Sequence, residues 1–309
     1  MNNWFLIALV APLLWSVVSH IDKFMLSKYL KERGVGALLV FSALSSAILL
    51  PFVGFIYRKE IFSVSAVDFI LLIFIGFLSA GAFYLYLAGM EEEEASIVVP
   101  LLQLVPVFGY VLGYLLLGES LSAIQLFASL IIILGIAILA IEIDADSGFG
   151  FKKRVLLLIT GASFLFALHD TLFKKVALTE HFWVSVFWQY VSLTLAGVLV
   201  FLVVPRFRRD FISLFKGMRG RIFSLNIMSE VLYIAGNLTN NFAMLLAPVA
   251  LVLVVSSYQP LFVFVGGILI TMFLPHIGVE KITFKHMMHK LASISIILAG
   301  SYLLYSSSV

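Results

Sequence analysis

The chain has no cysteine among its 309 residues. Disulfides, thiol nucleophiles and Cys-ligated metals are therefore excluded. Charge is scarce as well: Asp, Glu, Lys and Arg together make up 12% of the residues, against about 25% in soluble domains. The P-loop, GxSxG, HExxH and DFG-like patterns are missing. Without them an ATP-driven machine is not expected, no cofactor is expected, and any work must draw on a gradient or on exchange. No cleavable leader is expected from the first residues. MNNWFLIALVAPLLWSVV has no basic start and stays apolar past any small-residue site, so it reads as a first membrane helix. Met1 is followed by Asn2 and there is no Cys, so no lipidation motif is evident.

What the chain does have is apolar length. Hydrophobic residues make up 62% and mean hydropathy is +1.12. That combination reads as an all-α polytopic membrane protein in an inner cell membrane, with lipid as its surroundings. The sequence pI near 9.0 comes from loop Lys and Arg, which in a membrane protein mark orientation rather than nucleic acid. Ten segments have the roughly 17–25 mainly apolar residues of a span: 4–24, 35–57, 67–89, 95–117, 121–141, 153–174, 182–204, 222–243, 247–274 and 288–306. The longest connections are 142–152 and a basic stretch at 205–221.

An internal repeat organises these segments. LYLAGMEEEEASIVVPLLQLVPVFGYVLG at 85–113 lies over TNNFAMLLAPVALVLVVSSYQPLFVFVGG at 239–267, an offset of 154. Met90 falls on Met244, Pro106 on Pro260 and Gly113 on Gly267. Further on, GIAIL from Gly135 pairs with GSYLL from Gly300, and Lys23 lies over Lys174 at an offset of 151. Five helices, residues 1–142, thus precede five related ones, residues 143–309. Five is odd, so the second set runs inverted, and a substrate site is expected near the midplane between the halves. Most Lys and Arg fall on one alternating set of loops, whereas the other set holds Arg58, Lys59, Lys174 and Lys175. That bias puts both termini outside.

The stretch LVPVFGYVLGYLLLGESL at 104–121, followed by a glycine-containing helix ending GIAILA, resembles the signature of the EamA family of the drug/metabolite transporter superfamily. The second copy, YQPLFVFVGGILI with Glu280 and LAGSYLL, is similar but degenerate. Lys23 and Lys174 fit the same pattern. The resemblance implies a carrier of small polar metabolites, amino acids, nucleobases or drugs, often tied to an ion gradient or to exchange. It also implies cytoplasmic termini, opposite to the loop charges. A monomer or a homodimer fits equally.

One stretch carries most of the candidate chemistry. On a helix, Asn226, Glu230, Tyr233, Asn237 and Asn241 fall at i, i+4, i+7, i+11 and i+15, with Asn240 at the margin. That makes one polar face. A carboxylate in hydrocarbon is costly, so Glu230 should face protein or water. Exchange of a proton against solute suits it, as does direct recognition of an amine; a structural carboxylate between helices is the plainer reading. Solute contacts are expected from Glu230, Asn237, Asn241, Tyr233, Gln103, Gln259, Tyr258, Trp15, His20 and Tyr84. In the first helix, Ser16, Ser19, His20 and Lys23 share a face at i, i+3, i+4 and i+7. His169 and Asp170 join Glu230 as proton-path candidates, though Asp170 with Lys174 also reads as an interfacial ion pair on one helix face. Pro106 and Pro260 read as paired kinks that gate or merely bend their helices. Gly76 stands at the repeat equivalent of Glu230. The run Glu91–Glu94 reads as solvated charge at a helix start. His276, His286 and His289 lack further nearby ligands, so no metal is expected. Other readings are an intramembrane enzyme on lipid using His169, Asp170 and Glu230, and a receptor or scaffold that transports nothing.

Overall fold

The structure is a computed structural model. It describes residues 4–28, 34–92, 98, 101, 102, 104–140, 153–217, 220–273 and 284–307. Among these, regular structure is helical throughout. In chain order the helices are α1 (Trp4–Lys28), α2 (Gly34–Ser45), α3 (Leu50–Ile56), α4 (Ala66–Glu92), α5 (Leu104–Leu117), α6 (Ala123–Ala140) and α7 (Lys153–Ala177). They continue as α8 (Phe182–Val203), α9 (Pro205–Gly217), α10 (Gly220–Leu246), α11 (Val249–Ser256), α12 (Gln259–Phe273) and α13 (Phe284–Ser306). A 3-10 turn at Ser46–Leu49 joins α2 to α3.

Among the described residues, six helical stretches are long and apolar enough to cross a bilayer: Trp4–Asp22, Val35–Ile56, Ala66–Glu92, Lys153–Ala177, Phe182–Val203 and Val249–Ile270. Leu104–Leu117, Ala123–Gly135 and Ala292–Ser306 are apolar but shorter. α10 has the length of a span but not the apolar character, because its polar stripe lowers its hydropathy. Large side chains such as Leu6, Phe55, Leu157, Val203 and Met272 point outward and exposed, as a hydrocarbon surround requires. The protein is a multi-pass membrane protein.

Packing follows a repeated plan. α4 lies along α7 and α8, α10 lies along α1, and α1 also meets α11 and α12. α5 meets α7 and α11, α2 meets α8, and α6 pairs with α13. At the α6–α13 contact, Gly135 lies under Ile296 and Ile297, and Gly300 lies under Ile131 and Ile132. Small residues there let the two backbones approach closely. The α4–α8 contact is equally tight: a Cβ at Gly76 would collide with the Ser192 side chain and the Leu193 backbone. By contrast, α10 barely touches α2.

Two expectations need correction. The 205–221 stretch is not a loop: residues 205–217 form the amphipathic helix α9. Pro205 starts it, with φ already suited to a first turn. Phe207 packs over Gly36 of α2 and beside Tyr84, with ring centroids 6.1 Å apart. Phe211 meets Phe201 edge-on at 5.7 Å, while Arg206 and Arg209 stay exposed. In the 247–274 segment, still one span by length over Val249–Ile270, the kink expected beside Pro260 is a full break. The helix stops at Ser257–Tyr258, between α11 and α12, just before Pro260, which has no N–H to donate back to the preceding turn.

Candidate functional site

A cavity of about 180 Å³ lies among α1, α2, α4, α5, α7, α10, α11 and α12. Three carboxylates line it: Asp22 from α1, Asp170 from α7 and Glu230 from α10. Ser229 Oγ donates to Asp22 Oδ1 at 3.2 Å. Ser42 Oγ donates to Glu230 Oε1, and Glu230 is 7% exposed. Asp22 and Glu230 thus face one cavity from α1 and α10. A side chamber of about 20 Å³ adjoins Glu230 and Ser42, walled also by Ser46, Ser79 and Tyr190; it has room for about one water.

Asp170 ends a directed chain of hydrogen bonds. Asn241 Nδ2 donates to Gln189 Oε1 at 3.2 Å. Gln189 Nε2 lies 2.8 Å from His169 Nε2. The amide nitrogen has only protons to offer, so His169 Nε2 accepts and the ring proton sits on Nδ1. From there it donates to Asp170 Oδ1 at 2.8 Å. Both ring nitrogens of His169 are thereby committed.

Aromatic rings form the rest of the wall: Trp15, Phe83, Tyr86, Phe166 and Tyr233. Phe83 lies 6.2 Å from Tyr86, nearly parallel to it, and 6.3 Å from Tyr233. The Trp15 ring rests on Gly236 of α10. At the helix break, Gln259 Nε2 donates to Ser19 Oγ at 2.9 Å, and Ser256 Oγ donates to Asn240 Oδ1 at 2.9 Å. Among the described residues, no Lys or Arg lines the cavity, and no group of three His, Asp or Glu is arranged to hold a metal ion.

Of the sequence-derived candidates, Trp15, His169, Asp170, Glu230, Tyr233, Asn237, Gln259 and Pro260 line this space. Gln103 lies outside the described residues. Five others stand elsewhere. Asn241 shares the face of Glu230 but lies three turns on, where Gln189 of α8 takes its amide. Tyr258 is 5% exposed; the break turns it toward Phe5 and Phe262. His20 points to α12, with Nε2 3.0 Å from the Val263 carbonyl. Tyr84 is 40% exposed beside Phe207 of α9. Pro106 is buried in the first turn of α5 rather than at a mid-helix kink, and its neighbour Val105 faces the cavity.

The Asp170–Lys174 pair is also corrected. Lys174 Nζ bonds Glu119 Oε1 and donates to the Ala247 carbonyl at 2.8 Å. Glu119 Oε2 accepts the Val249 N–H at 2.8 Å, capping the start of α11. Of the acidic run, Glu91 is exposed and Glu92 pairs with Arg154 at 3.0 Å. Glu93, Glu94, His276 and Glu280 lie outside the described residues, as do the side chains of Lys23, His286 and His289.

Asp22 was not among the expected residues. Its signal was present: Trp15, Ser19 and Asp22 have spacing i, i+4, i+7. The face chosen from Ser16, Ser19, His20 and Lys23 is one residue, about 100°, out of register. Only Ser19 belongs to both faces.

Residues 2–141 match the EamA-like transporter family. That match covers the first five-helix portion of the sequence and no more. EamA-like proteins fall within the drug/metabolite transporter superfamily, whose members are membrane transporters rather than enzymes. No curated protein sequence matches the chain. One solved crystal structure superposes on it with a TM-score of 0.69, covering 98% of this chain and 96% of the other. The two are 15% identical, so this likeness speaks for the fold alone.

Proposed function

We propose that the protein is a secondary transporter that moves a small polar solute by alternating access. In this reading ten membrane helices form two inverted five-helix repeats, residues 1–142 and 143–309. The cavity between them holds the solute. One observation carries the reading: residues from both halves of the chain meet around one polar cavity lined by a carboxylate of the long helix α10, Glu230. Such groups inside a membrane usually serve an ion or a substrate.

The packing plan supports the two-fold scheme. Exchanging the repeats turns the α4–α7 contact into α10–α1, and α5–α7 into α1 with α11 and α12. The α2–α8 and α6–α13 contacts map onto themselves. One contact breaks the scheme: α4 packs tightly on α8, but its counterpart α10 barely meets α2. Gly76 and Glu230 are repeat equivalents, and each faces a serine, Ser192 and Ser42 respectively. Glycine lets the first pair close, whereas glutamate holds the second apart. The functional carboxylate therefore occupies the place where the two-fold packing opens.

An enzymatic role for His169, Asp170 and Glu230 gains no support, because both His169 ring nitrogens are already engaged. The break at Ser257–Tyr258 beside Pro260 supplies a hinge next to the cavity. The test is uptake into vesicles containing the purified protein. Glu230→Gln should abolish accumulation against a gradient while leaving solute–solute exchange. Unchanged accumulation would make Glu230 structural and remove the basis for coupling.

A further inference from the structure

We infer that the solute is an organic cation, a protonated amine on an apolar or aromatic body, bound by Asp22 and Glu230 against the cavity's rings. The inference rests on the transporter reading above and adds the charge class of the solute.

Consider the charges that face the cavity. Asp22, Asp170 and Glu230 supply negative charge from three separate helices. Among the described residues, His169 is the one lining side chain able to become positive, and it is bound at both nitrogens, to Asp170 and to Gln189. Asp170 is thereby partnered. Asp22 and Glu230 are not partnered in that sense: the donors they receive are the neutral hydroxyls of Ser229 and Ser42. A carboxylate has about four acceptor positions, and one hydroxyl does not offset buried negative charge. Two such groups facing one cavity call for a positive occupant.

The wall chemistry narrows the class further. Among the described residues, an anionic solute would meet three carboxylates and no lining Lys or Arg. A zwitterion could place its ammonium well but would leave its carboxylate facing only amides and hydroxyls. A neutral base would gain nothing from Asp22 or Glu230. An ammonium fits both, and its apolar body fits Trp15, Phe83, Tyr86, Phe166 and Tyr233. Ring faces attract cations, and more strongly as water is excluded. When the cation leaves, protons can take its place on the carboxylates, which provides exchange without any further group.

Three probes of similar shape separate the classes: 2-phenylethylamine, 2-phenylethanol and 3-phenylpropanoate, each measured by calorimetry and thermal stabilisation with the full-length purified protein. The amine should bind, the alcohol at least tenfold more weakly, and the acid not detectably. Asp22→Asn and Glu230→Gln should each weaken amine binding at least tenfold. Asp22→Glu and Glu230→Asp should recover part of it, which separates lost charge from lost folding. Equal binding of the alcohol or the acid, no amine binding at all, or unchanged amine binding by the Asn and Gln variants would overturn the inference. Vesicle uptake distinguishes the two levels. An amine that binds but is not moved leaves the charge class standing and removes the transporter reading. Accumulation of the acid instead keeps the transporter reading and removes the charge class.

Discussion

Glu230 and Asn241 lie on the same face of α10, yet they have different work. Glu230 meets the cavity beside Ser42 of α2, whereas Asn241 gives its amide to Gln189 of α8. Helical spacing alone brought both to notice, because angle repeats along a helix and neighbours do not. The difference predicts different phenotypes. Asn241→Leu leaves Gln189 Oε1 without its donor and disturbs the chain to His169, so it should destabilise the protein by about 1–3 kcal/mol. Tyr84→Phe, at an exposed position beside α9, should change stability by less than about 0.5 kcal/mol. Thermal unfolding of the two variants in one detergent compares them; equal losses would contradict the placement. Asp22 teaches the converse lesson. Its spacing from Trp15 and Ser19 was legible, but two overlapping faces of α1 had the same periodicity, and packing against α10 chose between them.

Among the elements, the start of α11 shows how the halves are tied. Glu119, in the α5–α6 connection, caps α11 through the Val249 N–H and takes the buried ammonium of Lys174 from α7. Lys174 also reaches the Ala247 carbonyl, at the end of α10. The α5–α6 connection, α7 and the α10–α11 junction therefore meet at one ion pair. Removing one partner of a buried pair strands the other, at about 3–5 kcal/mol. Glu119→Ala should cost that much stability, and Lys174→Met in the same background should recover a large part of it. A double-mutant cycle by thermal unfolding measures the coupling; additive losses would show that the pair does not act as a unit. The sequence drew Lys174 toward Asp170 because i, i+4 partners are all that one helix displays. Tertiary packing offered Glu119 instead and gave Asp170 to His169. α9 was hidden for a related reason: its charges looked like loop composition, while its Phe207–Phe211 spacing became meaningful only with α2 and α8 beneath it.

The molecule as a whole has two ends. The residue 57–65 turn, Glu119, Lys174 and Ala247 belong to one end; Ser65 N–H donates to Glu180 there at 3.0 Å. α9 and the Arg154–Glu92 pair belong to the other, if each span crosses once. The chain has no cysteine, so an engineered thiol reports without background. Ser63→Cys and Ser213→Cys, both at exposed positions, should react with an impermeant thiol reagent from opposite sides of sealed vesicles. The arginine-rich α9 should face the cytoplasm. Labelling of both from one side would refute the inverted arrangement, and Ser213→Cys labelled from outside would reverse the orientation. Composition by itself determined that this chain lives in a bilayer, because so little charge and so much apolar length cannot be covered by water. Periodicity determined the helices and marked Glu230, since a costly carboxylate stands out on an apolar span. Only the tertiary structure decided which polar residues share the cavity, which partner each charge takes and where α10 stands away from α2. Those outcomes depend on contacts between helices distant in the chain, and apolar spans resemble one another too closely to encode such contacts in local pattern.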